Sequence, residues 1–371
     1  DEVVSLTHRR RQQEMQVRGI NVVVGKHLAV RQLCQATRHR GFAGPALPAD
    51  DGDLLVRLRR ALCKGRRLTR RQLEYVLHRL GWRGVVPFVD DNFNARGRYL
   101  RDELLPALIE WRRGKRGMGF SAQVTIDIAD DSGLMEMMVR AGFDTVFIGI
   151  ESVDEANLAE CHKRQNQCRD LLADVRRIQR AGLQVQAGFI VGFDGDTPSV
   201  FGRMAEFIQQ SGIATAMVGM LQAPVGTALY RRLDREGRIR VGLSGDNSDG
   251  STNIIPRMGL DSLQTGYRNL LRDLYSPTHY YRRVRTFIRE YRPQRTNIRF
   301  SASHALAVFR SFYHLSVAGR ERWHYTGLLF WTLIRHPRAL PVAVVLAIYG
   351  YHYRKCYEPL FSTAIPESVR A

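Results

Sequence analysis

At 371 residues, with 44% hydrophobic and 25% charged side chains, the chain can bury at least one full core, and wholesale disorder is excluded. Its 56 basic against 36 acidic residues leave a net charge of +20, a balance that attracts anionic partners. No stretch interleaves these arginines with aromatics in the pattern of a nucleic-acid module, so no nucleic-acid partner is expected. Five cysteines (Cys34, Cys63, Cys161, Cys168 and Cys356) share no CxxC spacing, which argues against a disulfide framework and for a reducing compartment. The opening residues are charged and show no apolar leader, and a cytoplasmic location is expected.

Residues 1–25 start as an arginine-rich helical stretch and end in GINVVVG (Gly19–Gly25), the β-branched pattern of a buried parallel strand. Residues 26–66 carry no period. Gly41, Gly44, Pro45 and Pro48 break it and Asp50, Asp51 and Asp53 cluster within it, which reads as loop. From Thr69 the pattern becomes helical, with Leu73, Val76, Leu77 and Leu80 on one stripe, and turns through Gly81 and Gly84 into a strand at Val85–Val89.

Hydrophobic segments ending in short polar or glycine-rich tags then recur. They are Val85–Phe93 (VVPFVDDNF), Phe120–Ala129 (FSAQVTIDIA), Thr145–Ser152 (TVFIGIES), Val185–Thr197 (VQAGFIVGFDGDT) and Thr215–Thr227 (TAMVGMLQAPVGT). Helices are expected over Leu100–Arg112, Gly133–Ala141, Asn166–Ala181 and Ser199–Ser211, each closing near a glycine. Such alternation requires parallel strands with right-handed crossovers, an α/β fold of the barrel kind. Beyond Gly237 it stops. Residues 242–256 read as a polar loop, Leu260–Tyr275 as a helix, and Tyr280–Tyr291 (YYRRVRTFIREY) as a basic, aromatic helix. Ile298–Tyr357 is helical and increasingly apolar. Its apolar stretches, Thr326–Ile334 and Ala339–Tyr351, are divided at Arg335–Arg338. Neither reaches the roughly 18 residues of a spanning helix, so a hairpin that is buried or lies at a membrane surface is expected.

In parallel β/α structures functional groups gather at the carboxyl ends of the strands. Asp90, Asp91 and Asn92 occupy one such end, and Glu151 and Ser152 another. Gln123, Thr125 and Asp127 alternate and could line one strand face; Gly188, Gly192, Gly195 and Asp196 form a further tag. Glycines admit a ligand close to the backbone, and carboxylates and amides accept from amine and hydroxyl donors. The same residues have plainer uses. Asp91 or Asn92 could cap a helix, Glu151 could end a strand in solvent, and Gly192–Thr197 could be a turn with Asp196 or Thr197 as cap.

Taken together, residues 69–300 closely resemble the radical S-adenosylmethionine barrel of cobalamin-dependent (class B) methyltransferase-like proteins, a family that includes hopanoid C-2 methyltransferases, with the family-specific domain that follows it. The resemblance is carried by GWRGVVPFVDDNF (81–93), AGFDTVFIGIESVDEANLAECHKRQNQ (141–167), GLQVQAGFIVGFDGDTPSVF (182–201), SGIATAMVGMLQAPVGTALYRRLDREGRI (211–239) and GDNSDGSTNIIPRM (245–258). It implies a partial (β/α)6 barrel over 67–240, a remnant of a Rossmann-like cobalamin domain within 1–66, and an α-helical C-terminal domain over 241–371. It also implies that Asp90, Asp91 and Asn92 contact the methionine amino group of S-adenosylmethionine. Glu151 would lie near the ribose, Gly188 to Gly192 against the adenine with Asp196 beyond, and Gln123 and Thr125 towards the interior. The implied cofactors are S-adenosylmethionine, a [4Fe–4S] cluster and cobalamin. The implied reaction is methyl transfer to an unactivated carbon of a hydrophobic, isoprenoid- or lipid-like substrate. The apolar C-terminal hairpin and the basic Tyr280–Tyr291 helix would suit peripheral membrane contact, or else plain helical packing against the barrel.

One element departs from that family. Its cluster loop, CxxxCxxC after the first barrel strand, should fall near residues 45–60, which contain no cysteine, and no metal ligands are assigned. Segment 26–66 resembles nothing in the family, and its composition is what a shifted reading frame in a GC-rich gene gives. Two expectations follow: a truncated or frame-damaged relative, or a cluster-free paralogue that keeps the barrel as a binding module.

Overall fold

The computed structural model describes residues 85–362, except 89, 114–118, 241–249, 294–301, 318 and 320. The expected GINVVVG strand, the helix from Thr69, the first barrel strand, Cys34 and Cys63 lie outside the described residues. Five parallel strands form one sheet: β1 (Val86–Phe88), β2 (Phe120–Val124), β3 (Phe143–Glu151), β4 (Gln184–Val191) and β5 (Thr215–Met220). Their spatial order is their chain order. Every crossover therefore steps the same way, as in the wall of a β/α barrel and unlike the reversing order of a doubly wound sheet.

The helices between them are α1 (Leu105–Arg112), α2 (Ser132–Ala141), α3 (Glu155–Glu160), α4 (Leu171–Ala181) and α5 (Ser199–Ser211). Two depart from the expected bounds for local reasons. The helix expected from Leu100 opens as a π-helical turn, Leu100–Leu104, because Pro106 has no N–H to give the carbonyl of Asp102. The helix expected from Asn166 begins instead at Leu171, where the Asp170 carboxylate accepts from the Ala173 amide. Asn166 is occupied elsewhere: its side-chain amide donates to the carbonyls of Gly149 and Ile150 at 3.1 and 2.9 Å.

Strand alternation sorts the sheet into two faces. Phe120, Ala122, Val124, Val146, Ile148, Ile150, Val185, Ala187, Phe189 and Val191 are buried. The other face is half exposed and largely polar, and the register aligns Ser121 with Thr145, Thr145 with Gln184, Gln123 with Phe147, and Gly149 with Gly188.

After β5 the chain is helical: α6 (Ala228–Arg235), α7 (Leu260–Leu274), α8 (Pro277–Glu290), α9 (Ala302–Phe312), α10 (Arg322–Arg335) and α11 (Leu340–Ser362). The basic, aromatic helix starts at Pro277, behind Ser276, whose hydroxyl accepts from the His279 amide. Its Tyr280, Tyr281 and Phe287 point inward and are buried. Together α7 and α8 close the free edge of β5. Tyr267 donates its hydroxyl to the carbonyl of Val218 at 3.1 Å and Tyr275 to that of Ala216 at 2.7 Å. Arg283, fully buried, donates to the carbonyls of Ala214 at 3.4 Å and Leu274 at 2.9 Å. Its guanidinium stacks over the rings of Tyr275 and Tyr280, 5.7 and 5.2 Å from their centroids, which offsets part of the penalty for burying a charge.

Gly212 ends α5 with φ +72°, and a Cβ there would lie 2.8 Å from the Phe287 backbone nitrogen of α8. Gly212→Ala combines left-handed strain with a clash against main chain, and is expected to destabilise the protein by about 3 kcal/mol in urea unfolding. Gly202→Ala on the same helix, where a Cβ meets nothing, should be neutral or slightly stabilising in the same assay.

Candidate functional site

The strand-end tags do not hang free; they hold one another. After Val124 the chain leaves the strand for a 3₁₀ turn, Ile126–Asp130, so Thr125 and Asp127 stand beyond β2 rather than along its face. There they meet the tag of β1. Asn94 donates its side-chain amide to Thr125 Oγ1 and Asp127 Oδ1, both at 2.9 Å, and accepts from the Thr125 backbone amide at 2.9 Å. The Thr125 hydroxyl lies 2.5 Å from Asp127 Oδ1 and 3.4 Å from Asn92 Oδ1. Asn92 precedes the 3₁₀ turn Phe93–Arg96 but makes no side-chain capping bond to it. Asp90 and Asp91 are exposed beside this cluster, and Asp90 accepts from the Asn92 amide at 3.3 Å.

Glu151, the last residue of β3, adopts φ +65°, a region that non-glycine residues enter at a cost of about 1–3 kcal/mol. Its carboxylate pairs with Lys163 Nζ at 2.8 Å and folds back over Gly149, where a Cβ would lie 2.4 Å from Glu151 Oε1. Opposite Gly149 in the register stands Gly188, and a Cβ there would meet the Phe147 ring at 3.1 Å. The two glycines thus make a patch that is covered by an aromatic ring over Gly188 and by an ion pair over Gly149.

Asp196 is buried and serves the turn after β4. One carboxylate oxygen accepts from the amides of Gly192 at 2.7 Å and Phe193 at 3.0 Å; the other accepts from Asn157 Nδ2 at 2.6 Å. Gly192 has φ +103°, and a Cβ there would touch Leu263 of α7. Neither Asp196 nor Thr197 caps α5, whose first turn follows Pro198 without a side-chain cap. Burial raises the Asp196 carboxyl above the usual carboxylate range, against the opposing pull of the two amides and Asn157.

Composition and motif reading missed three positions that the fold brings to this rim. Asn166 pins the end of β3, as described above. Asn253 bridges Ala223 after β5, accepting from its amide and donating to its carbonyl, each at 2.8 Å. Thr252 donates to the Leu221 carbonyl at 2.6 Å. The signal of Thr252 and Asn253 was spacing within the 245–258 motif, and that of Asn166 within the 141–167 motif, which no periodicity argument reads. Gln184 and Gln186 of β4 also share the polar face with Gln123; their alternation with Val185 and Ala187 could have been read from the sequence.

Among the described residues thiolate chemistry has no comparable centre. Cys161 follows α3 and donates to the Leu158 carbonyl, Cys168 is exposed in the loop before α4, and Cys356 lies on α11 beside His352. Burial pushes the Cys161 and Cys356 thiols up, away from the thiolate that iron ligation requires. Among the described residues no group of three or more His, Cys, Asp or Glu side chains could hold a metal ion. The described residues therefore do not fit a [4Fe–4S] cluster. Nor is any described helix long and apolar enough to cross a membrane.

Fold and rim define a parallel β/α protein that presents polar groups at its strand ends. Residues 227–363 match the family described as Domain of unknown function (DUF4070). Over 309 residues the chain is 33% identical to an uncharacterized methyltransferase, sll1242, of Synechocystis sp., covering 81% of this chain and 56% of that protein. It is 35% identical over 198 residues to the hopanoid C-2 methylase of Rhodopseudomonas palustris, covering 53% and 36%. It is 28% identical over 156 residues to the bacteriochlorophyllide d C-12(1)-methyltransferase of Chlorobaculum tepidum, covering 42% and 33%. The chain thus spans at most 56% of the length of these relatives. These matches support a radical S-adenosylmethionine methyltransferase-like protein.

Asp196→Ala strands two backbone amides and Asn157, and should cost about 1–3 kcal/mol in urea unfolding. Asp196→Asn should cost less, because a carbonyl oxygen still serves the turn. The raised native pKa means that the folded chain holds this proton more tightly than the unfolded one. Wild-type stability should therefore fall relative to Asp196→Asn as pH rises from about 4 through the native pKa, and level off above it.

Proposed function

We propose that the rim formed by Asn92, Asn94, Thr125, Gly149, Glu151 and Gly188 binds S-adenosylmethionine, and that the parent chemistry is methyl transfer to a carbon of a hydrophobic, isoprenoid- or lipid-like acceptor. Similarity to three proteins named as methyltransferases supports the chemical class, since one is named for a hopanoid and another for a bacteriochlorophyllide. The observation that carries the cofactor reading is the rim itself. Amide and carboxylate acceptors at the ends of β1 to β3 stand beside the paired Gly149 and Gly188, with the Phe147 ring and the Glu151 carboxylate packed against those glycines. The ammonium of the ligand would meet Asp90, Asp91 and Asn92, its ribose hydroxyls Glu151, and its adenine the glycine patch. In that arrangement Phe147 supplies an aromatic face for the adenine. Cobalamin, which the resemblance implies, would be held outside the described residues.

A second reading is favoured by the placement of the cysteines: this chain binds the cofactor without cleaving it reductively, as a cluster-free binding module. Cys161, Cys168 and Cys356 lie on separate elements, and two of them are held as neutral thiols by burial.

One measurement tests the rim and a second separates these readings. Equilibrium dialysis of the full chain should show S-adenosylmethionine binding that weakens about tenfold in Asn92→Ala, the loss of one charge-assisted contact. Unchanged affinity in Asn92→Ala and Glu151→Gln alike would remove the rim from the account. Anaerobic reconstitution with iron and sulfide should leave the protein colourless on the binding-module reading. About four irons per chain, with broad visible absorption, would instead restore the radical enzyme.

A further inference from the structure

The helical hairpin α9–α10 carries apolar side chains on faces that nothing described covers. On α10, Tyr325, Leu328 and Thr332 share one face and are buried. Trp323, Phe330 and Ile334 recur on the opposite face at helical spacing, with 78%, 66% and 61% of their surface exposed. A helix apolar all round sits in a core or in lipid, yet α10 has water on one side. The other arm repeats the pattern, with Phe309, Phe312 and Tyr313 exposed while Ser311 and Leu315 are buried. The two arms are held together by the Ser311 and Tyr325 hydroxyls, 3.0 Å apart, so the exposed residues belong to a fixed structure.

The charge around this hairpin has one sign. Between residues 302 and 338 the chain has five arginines (Arg310, Arg320, Arg322, Arg335 and Arg338) and a single acid, Glu321. Glu321 is buried and ion-paired to Arg354, so it offers no negative charge outward. From the neighbouring α8, Arg285 and Arg289 stack over Trp331 at 5.8 and 5.7 Å and add to the positive rim. An apolar face bearing exposed Trp and Phe, ringed by arginines and free of outward acids, is complementary to one kind of surface. That surface has an apolar interior beneath an anionic layer.

We infer that the α9–α10 hairpin docks this protein on the surface of an anionic lipid bilayer, with Trp323, Phe330 and Ile334 in the acyl boundary and Arg335 and Arg338 at the phosphates. The helices lie on the membrane and do not cross it, as their length and hydropathy require. Docking is independent of cofactor binding at the rim.

The test is co-sedimentation of the full chain with vesicles of phosphatidylcholine alone and of phosphatidylcholine mixed with phosphatidylglycerol. The chain should pellet with the mixed vesicles, less so in high salt, and its tryptophan emission should shift to the blue. Trp323→Phe should remove most of that shift. Arg335→Gln combined with Arg338→Gln should lower partition about thirtyfold, at roughly fivefold per arginine. Phe330→Ser combined with Ile334→Ser should lower it by more than about tenfold, with unchanged circular dichroism because both sites are exposed. Failure to pellet with either vesicle, equal pelleting with both, or a concentration-dependent dimer that the Phe330→Ser and Ile334→Ser pair dissolves would each overturn the inference.

Discussion

The fifth strand of the sheet has a free edge, and its carbonyls at Ala214, Ala216 and Val218 face away from β4. Buried carbonyls without partners are costly, and a parallel sheet is stable only when its edges are paired or covered. Here three side chains take the part of a missing strand: Arg283, Tyr275 and Tyr267 donate to those three carbonyls in succession. Burial raises the Tyr275 phenol to about 12, so it stays a donor at any physiological pH. The donors come from α7 and α8, and these helices rest on α5 where Gly212 lets the backbones touch. Sheet and helical region are thereby one mechanical unit. The helices that terminate the sheet also fix Gly192, which packs against Leu263.

That dependence reaches the rim. With β5 held, Asn253 and Thr252 fasten the segment after it, and Asp196 fastens the turn after β4 through two backbone amides and Asn157. Asn166 does the same for β3, and Asn94 ties the tags of β1 and β2 together. The chain thus spends most of its strand-end amides and carboxylates on building the rim. Asp90 and Asp91 are exposed at its edge, and the Glu151–Lys163 pair lies beside the glycine patch. A rim organised in this way holds its acceptors in a fixed arrangement.

Much of this architecture was legible in the sequence, because period two and period 3.6 are imposed by burial and survive in any chain that folds this way. Strands β1 to β5 and the helices α2 and α5 follow from that patterning. What was not legible depended on partners distant in sequence. No local pattern could show that Asn166 serves the backbone of β3 and not a helix, or that the tyrosines of YYRRVRTFIREY face a core. Pro106 did announce its π-helical turn, but only once a helix was known to run through it. The tags do fall at strand ends, whereas the division of labour within them required coordinates. Asp196 sits in the expected tag, yet both its oxygens are consumed by the turn.

Hydrogen exchange of the full chain with and without S-adenosylmethionine tests the central claim most directly. The ligand should slow amide exchange around residues 90–94, 123–127, 149–152 and 188–193 and leave α7 and α8 unchanged. Protection confined to the solvent-open groove of about 660 Å³ between α5 and α7, lined by Phe201, Ser262 and Thr265, would contradict it by placing the ligand on the helix layer instead of the strand ends.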